Sequence, residues 1–241
     1  MYQAKLKEAH VTVKDYMDIA GKICREYFSE FFTLVLITQL PVALLGIGIG
    51  PIESPEDITP LFFPYSVISS ILSILGVMAT MKITEAYILG KSIQVSEALS
   101  FALSKLLSSI LVTIIITFLS LVGFIFFFIP GIYIANVLYF ALDSIVLRNQ
   151  KVMESLGYSY NLVKGQWWKI FGRNILLFLI LFVMIFVSTI GFTLINFGLG
   201  WIPFMPLLIS IADVLVTGLI SYFFFTMLTV FFLNVDYLRH P

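Results

Sequence analysis

Few side chains in this sequence are of kinds that carry out chemistry, and they are far apart. His10 and His240 lie in the terminal tails, without metal-ligand spacing, and the lone Cys24 has no second thiol and no paired imidazole. There is no phosphate-cradling glycine loop and no nucleophile elbow. The glycines of "GIGIGP" follow no strand, so they read as a span-end turn. No cofactor, no metal and no enzymatic reaction is expected. What remains are polar residues inside apolar surroundings: Asp213 in the last apolar stretch, and Glu85, Asp143 and Asn234 near the ends of three others. Ionisable groups in such places are rare and often carry protons, ions or polar headgroups.

The elements holding them follow from composition. Of 241 residues, 60% are apolar and 12% charged, against about 25% charged in a soluble domain. Runs of about 20 apolar residues recur, enough to cross roughly 30 Å of hydrocarbon as helices. The pattern predicts an all-α integral membrane protein with six spans, near 28–49, 63–84, 106–127, 131–148, 171–190 and 209–233. The first 27 residues contain no continuous apolar run, so no signal peptide is expected. On one side the connections are "GPIESPEDITP", "FFIPG" and "GFTLINFGLGWIPFMP", which hold no Lys or Arg. All 14 basic residues fall on the other side. Basic loops stay in the cytoplasm, so both termini are predicted there. Glu53, Glu56 and Asp57 form one acidic outer loop, read as a solvated turn.

The wet segments repeat. "VKDYMDIAGKICREYF" from Val13, "VSEALSFALSKLLSSI" from Val95 and "VMESLGYSYNLVKGQW" from Val152 each place an acid two residues after Val and Met or Leu two further on. In the first, Val13, Tyr16, Met17, Ala20, Ile23, Cys24 and Tyr27 share one helical face, and Thr12 with Asp15 fits a capping box. In the third, Val152, Leu156, Tyr160, Val163 and Trp167 are expected to face lipid or core. Each segment leads into a span out and a span back, which gives one domain over 1–241 with repeats at about 12–90, 91–149 and 150–238. Units that each cross twice are parallel repeats about an axis along the membrane normal. The entry helices are expected to lie in the interface plane; the rival reading makes them cytoplasmic extensions of the transmembrane helices that pack on each other. Aligning Leu89, Leu147 and Leu238 puts Glu85, Asp143 and Asn234 at one position, a candidate polar ring, while the simpler reading pairs acids near span ends with Lys82, Arg148 or helix-terminal groups.

"FIPGIYIANVLYFALDSIVL" followed by "ESLGYSYNLVKGQWWKIFG" resembles the signature region of the glycerophosphoryl diester phosphodiesterase membrane-domain family. That family includes the stand-alone YciC (UPF0259)-like proteins of bacteria and archaea. The matching positions are Ile129, Pro130, Gly131, Leu156, Ser159, Leu162, Gly165, Trp167 and Trp168. The opening "VTVKDYMDIAGKICREYFSEFF" is similar to the family's opening segment. The resemblance implies a six-helix module of the prokaryotic cell (inner) membrane. No phosphodiesterase domain follows before Pro241, so glycerophosphodiester hydrolysis is not implied. Without any family, Pro130-Gly131 reads as a stop and a tight turn.

The expected function is that of a non-enzymatic membrane module that scaffolds or partners a membrane protein, associates with itself, or binds membrane lipids. Nucleic acid is not an expected partner, since the basic residues border the bilayer. Small residues at Ser69, Ser70, Ser73, Gly76 and Ala79 allow close helix approach. The competing reading is a transporter or lipid-translocating protein with Asp213, Glu85 and Asp143 along its path.

Overall fold

The structure is a computed structural model that describes residues 2–8, 10–49, 60–126 and 128–240. Glu53, Glu56 and Asp57 lie outside the described residues. Those described form helices without a strand: α1 (Tyr2–Leu6), α2 (Val13–Glu26), α3 (Phe28–Thr38), α4 (Leu40–Ile49), α5 (Phe62–Ile88), α6 (Val95–Phe126), α7 (Phe128–Val137), α8 (Ala141–Arg148), α9 (Val152–Val163), α10 (Trp167–Leu199) and α11 (Met205–Arg239). Counting α3–α4 and α7–α8 as single units, six of them are long and apolar enough to cross a membrane. The chain is therefore a multi-pass, membrane-embedded protein.

Two of these spans are broken, each for a local reason. The first bends at Gln39, two residues before Pro41. Proline supplies no N–H and its ring collides with the carbonyl four residues back. The fourth breaks at Leu138–Phe140. There the Ser159 hydroxyl of α9 donates to the Val137 carbonyl at 2.7 Å and accepts from the Phe140 N–H at 3.0 Å. Buried backbone groups freed by a break must find partners, and this one hydroxyl serves both.

The Pro130-Gly131 pair is not the turn. Both residues lie in the first turns of α7, where proline is tolerated because its missing N–H has no helical acceptor. Gly131 serves close packing instead: a Cβ there would lie 2.5 Å from Phe124 Cγ, and one on Gly123 would lie 2.8 Å from Gly131 Cα. Gly165, like Gly90, has a backbone reason. Its φ of +82° breaks the chain between α9 and α10, in a region where only glycine is free of a Cβ penalty.

The core surrounds the last half of α11, where Met227, Val230, Phe231, Phe232 and Leu233 are fully buried. Helices α2, α5 and α10 pack on it. The entry segments differ from the pattern in their sequences. The second is no separate helix but the start of α6, which runs unbroken from Val95. In α2 the inward residues are Tyr16, Ile19, Ala20 and Ile23, with Met17 exposed. In α9 they are Ser155, Ser159, Leu162 and Val163, while Tyr160 is exposed. The inner faces are thus set by contact with α11 and with the α7–α8 break, and a hydroxyl with a bond to make outranks a larger apolar neighbour. The capping box is present: the Asp15 N–H donates to Thr12 Oγ1 at 3.3 Å, and the Thr12 N–H donates to Asp15 Oδ2 at 2.9 Å.

Candidate functional site

The three aligned polar residues are all buried: Glu85 and Asp143 are 6% exposed and Asn234 is 0%. No hydrogen bond joins any two of them among the described residues. Glu85 and Asn234 belong to separate networks, and Asp143 to neither. Glu85 accepts from Arg148 Nη1 at 2.8 Å and from Lys82 Nζ at 2.9 Å. The same guanidinium reaches across to α11, with Nε donating to Asp236 Oδ2 at 2.7 Å. Asp236 Oδ1 accepts from the Tyr158 hydroxyl of α9. One arginine therefore ties the ends of α5, α8 and α11 to α9. Charge balances there, two carboxylates against Arg148 and Lys82, and buried charges persist only when paired in this way. The Tyr158 phenol sits above its ordinary range, chiefly through burial and then through its bond to the Asp236 carboxylate.

Asn234 holds a second network that fastens the N-terminal segment. Its Nδ2 donates to the Leu6 carbonyl at 2.7 Å, and its Oδ1 accepts from the Tyr16 hydroxyl at 2.8 Å. Arg173 of α10 donates from Nη1 to Tyr16 Oη at 2.7 Å and from Nη2 to the Val11 carbonyl at 2.8 Å. Burial raises the Tyr16 phenol well above its usual value, so it stays protonated and able to donate. At the segment's start, Lys5 Nζ donates to Asp15 Oδ1 at 2.6 Å; that bond and the one from Thr12 hold the Asp15 carboxyl below the usual range.

The remaining acids are placed differently. Asp143 Oδ1 is buried with no hydrogen-bond partner among the described residues. Asp213 is half-buried on α11, and the Thr217 hydroxyl donates to its Oδ1 at 3.4 Å. No group of three or more His, Cys, Asp or Glu that could hold a metal ion occurs among the described residues.

A second kind of site is a groove between α7 and α10. About 590 Å³ is lined by Phe124, Ile132, Asn136, Tyr139, Asn174 and Phe178, among others. It adjoins about 430 Å³ bordered by Ile129, Ile132, Tyr133, Trp167, Trp168 and Phe171. Tyr133, Trp167 and Phe171 form one stack, with ring centres 5.9 and 4.8 Å apart. Within it lies an amide pair: Asn136 Nδ2 donates to the Trp167 carbonyl at 3.4 Å, and Asn174 Nδ2 donates to Asn136 Oδ1 at 3.1 Å. Trp167, Trp168 and Pro130-Gly131's helix thus meet at this groove, whereas Asp213, Glu85, Asp143 and Asn234 do not line it. Sequence reasoning passed over Asn136, Asn174, Arg173 and Asp236. The signal for Asn136 was a lone amide inside an otherwise apolar run.

Fold and sites together define an all-helical, multi-pass membrane protein whose charged groups are paired at one end. The chain belongs to the family described as a domain of unknown function, DUF7847, whose family model matches residues 66–235. The match takes in α5 through most of α11, hence Glu85, Arg148, Ser159, Arg173 and Asn234, and leaves out α1–α4. No curated protein and no solved structure matches the chain.

Proposed function

We propose that this protein is a non-enzymatic membrane module of the prokaryotic cell membrane that works by binding, to lipid or to another membrane protein. The carrying observation is how its polar groups are used. Arg148, Arg173, Glu85, Asp236 and Asn234 are committed to one another and to the backbone. Large apolar side chains along α10, such as Phe182, Phe186, Val187, Leu194 and Phe197, stay exposed. A catalyst needs convergent titratable groups free to meet a substrate; a binding module needs surface. Both termini are cytoplasmic in this reading, because every Lys and Arg falls on their side of the spans. In this reading the chain is three parallel repeats of entry segment plus hairpin, the first and third entry helices docked on the bundle and the second continuous with α6. The likeness to the phosphodiesterase membrane domain is in keeping with a module that accompanies other activities.

Transport is the reading to discriminate against. Reconstituted into sealed vesicles with a pH-sensitive dye inside, the protein should leave the decay of an imposed proton gradient unchanged. A faster decay that Asp213→Asn abolishes would establish transport and overturn the proposal.

A further inference from the structure

The amide pair in the groove has a fixed orientation. The Trp167 carbonyl can only accept, so the Asn136 group facing it is Nδ2, at 3.4 Å. That turns Asn136 Oδ1 toward Asn174, which must present Nδ2, at 3.1 Å. Asn174 Oδ1 is left over: it is buried with no donor among the described residues, on a side chain 6% exposed that borders the groove. The Tyr139 hydroxyl, another groove residue, is buried without a partner as well. The Trp167 Nε1–H, on a residue bordering the adjoining part, is a third such atom among the described residues; buried polar atoms normally find partners, so three on one groove ask for an occupant with a polar group.

Charge and depth narrow the occupant. No Asp, Glu, Lys, Arg or His borders either part of the groove, so nothing there compensates a phosphate or an ammonium. Residues 168, 171, 175, 178, 179 and 182 form one face of α10, and Lys169 points to the opposite side of the helix. Asn174 lies seven residues beyond Trp167, about 10 Å along the axis. Arg173, one residue earlier, spends its charge on the Tyr16 hydroxyl and the Val11 carbonyl, so a charged headgroup in the groove would meet no counter-charge, whereas one hydroxyl is tolerated once it is hydrogen-bonded. From Trp168 to Phe182 the groove runs about 21 Å, enough to carry a chain through one leaflet of roughly 15 Å.

We propose that the α7–α10 groove holds one hydrocarbon chain of an uncharged lipid with a free hydroxyl, seated at the Asn136–Asn174 amide pair. The proposal rests on the lipid-binding side of the function above and names the lipid class.

Tryptophan fluorescence in nanodiscs tests it. Of the three Trp, Trp167 and Trp168 border the groove, so Trp201→Phe leaves only groove reporters. In phosphatidylglycerol discs, chain-brominated diacylglycerol should reach half-maximal quenching at a several-fold lower mole fraction than chain-brominated phosphatidylglycerol. Asn174→Leu should erase that preference. The O-methyl ether of the brominated diacylglycerol, tested on protein with the groove intact, should also lack it, which keeps the test open if Asn174→Leu misfolds. Equal quenching by alcohol and ether, or an undiminished preference in folded Asn174→Leu, would overturn the proposal. Equal quenching by all the brominated lipids would do so while leaving the broader lipid-binding reading standing.

Discussion

Arg148 separates two carboxylates that would otherwise lie buried without a cation between them. At the scale of single residues, its loss should therefore cost more than the bonds it makes. Arg148→Leu is expected to destabilise the fold by about 3–5 kcal/mol, measured by thermal or denaturant unfolding in detergent. Adding Glu85→Gln and Asp236→Asn to that variant should recover part of the loss, because neutral amides remove the stranded charge. Ser159→Ala should cost about 1–3 kcal/mol, since it orphans the Val137 carbonyl and the Phe140 N–H together. Burial pushes the Cys24 thiol up to about 11, so a maleimide at pH 7 should modify it only after unfolding. Glu85, Asp143 and Asn234 stood out in the sequence as polar residues four before a leucine, and all three are buried. Lys82 and Arg148 were legible as partners for the span-end acids, and both pair with Glu85, but which acid the arginine would take was not. Arg148 lies 63 residues from Glu85 and 88 from Asp236, and Tyr16 lies 218 from Asn234, separations at which no local period operates.

Elements were legible wherever hydrophobicity alone decides them. All six apolar runs emerge as helices, since the runs are long and backbone groups in lipid must be satisfied internally. The breaks were hidden because their causes lie outside the hydrophobic pattern. Gln39 yields to Pro41 two residues on, and the Leu138–Phe140 break depends on a serine from a different helix. The Pro130-Gly131 turn expected from residue type gave way to a packing role, because Gly123 and Gly131 face each other across α6 and α7. Gly131→Ala should thus destabilise the protein clearly, while Gly191→Ala, whose Cβ would meet nothing within 4 Å, should be neutral or mildly stabilising. The N-terminal strap carries its own pH dependence. The folded Asp15 carboxyl lies below its unfolded value of about 3.9, so its stabilisation is present above that value and is lost as pH falls below it. Amide exchange in α2 should accelerate below pH ~4, and Asp15→Asn should flatten that dependence.

For the molecule as a whole, the basic residues mark one end, and the paired networks tie the helices together there. The first and third entry helices were found in the sequence by their pattern, but which faces turn inward depended on contacts with α11 and α7–α8, which no single segment encodes. In a Cys24→Ser background, Lys7→Cys and Arg239→Cys should label from the same side of sealed vesicles, and Trp201→Cys from the other. Labelling of Lys7→Cys and Arg239→Cys from opposite sides would break the topology. The central claim, that the protein acts by binding, is tested most directly by native mass spectrometry of the gently solubilised chain. The prediction is a population heavier than the bare 27.2 kDa chain, carrying lipid, a second copy or another membrane protein that survives moderate collisional activation. A bare monomer under every gentle condition would contradict it.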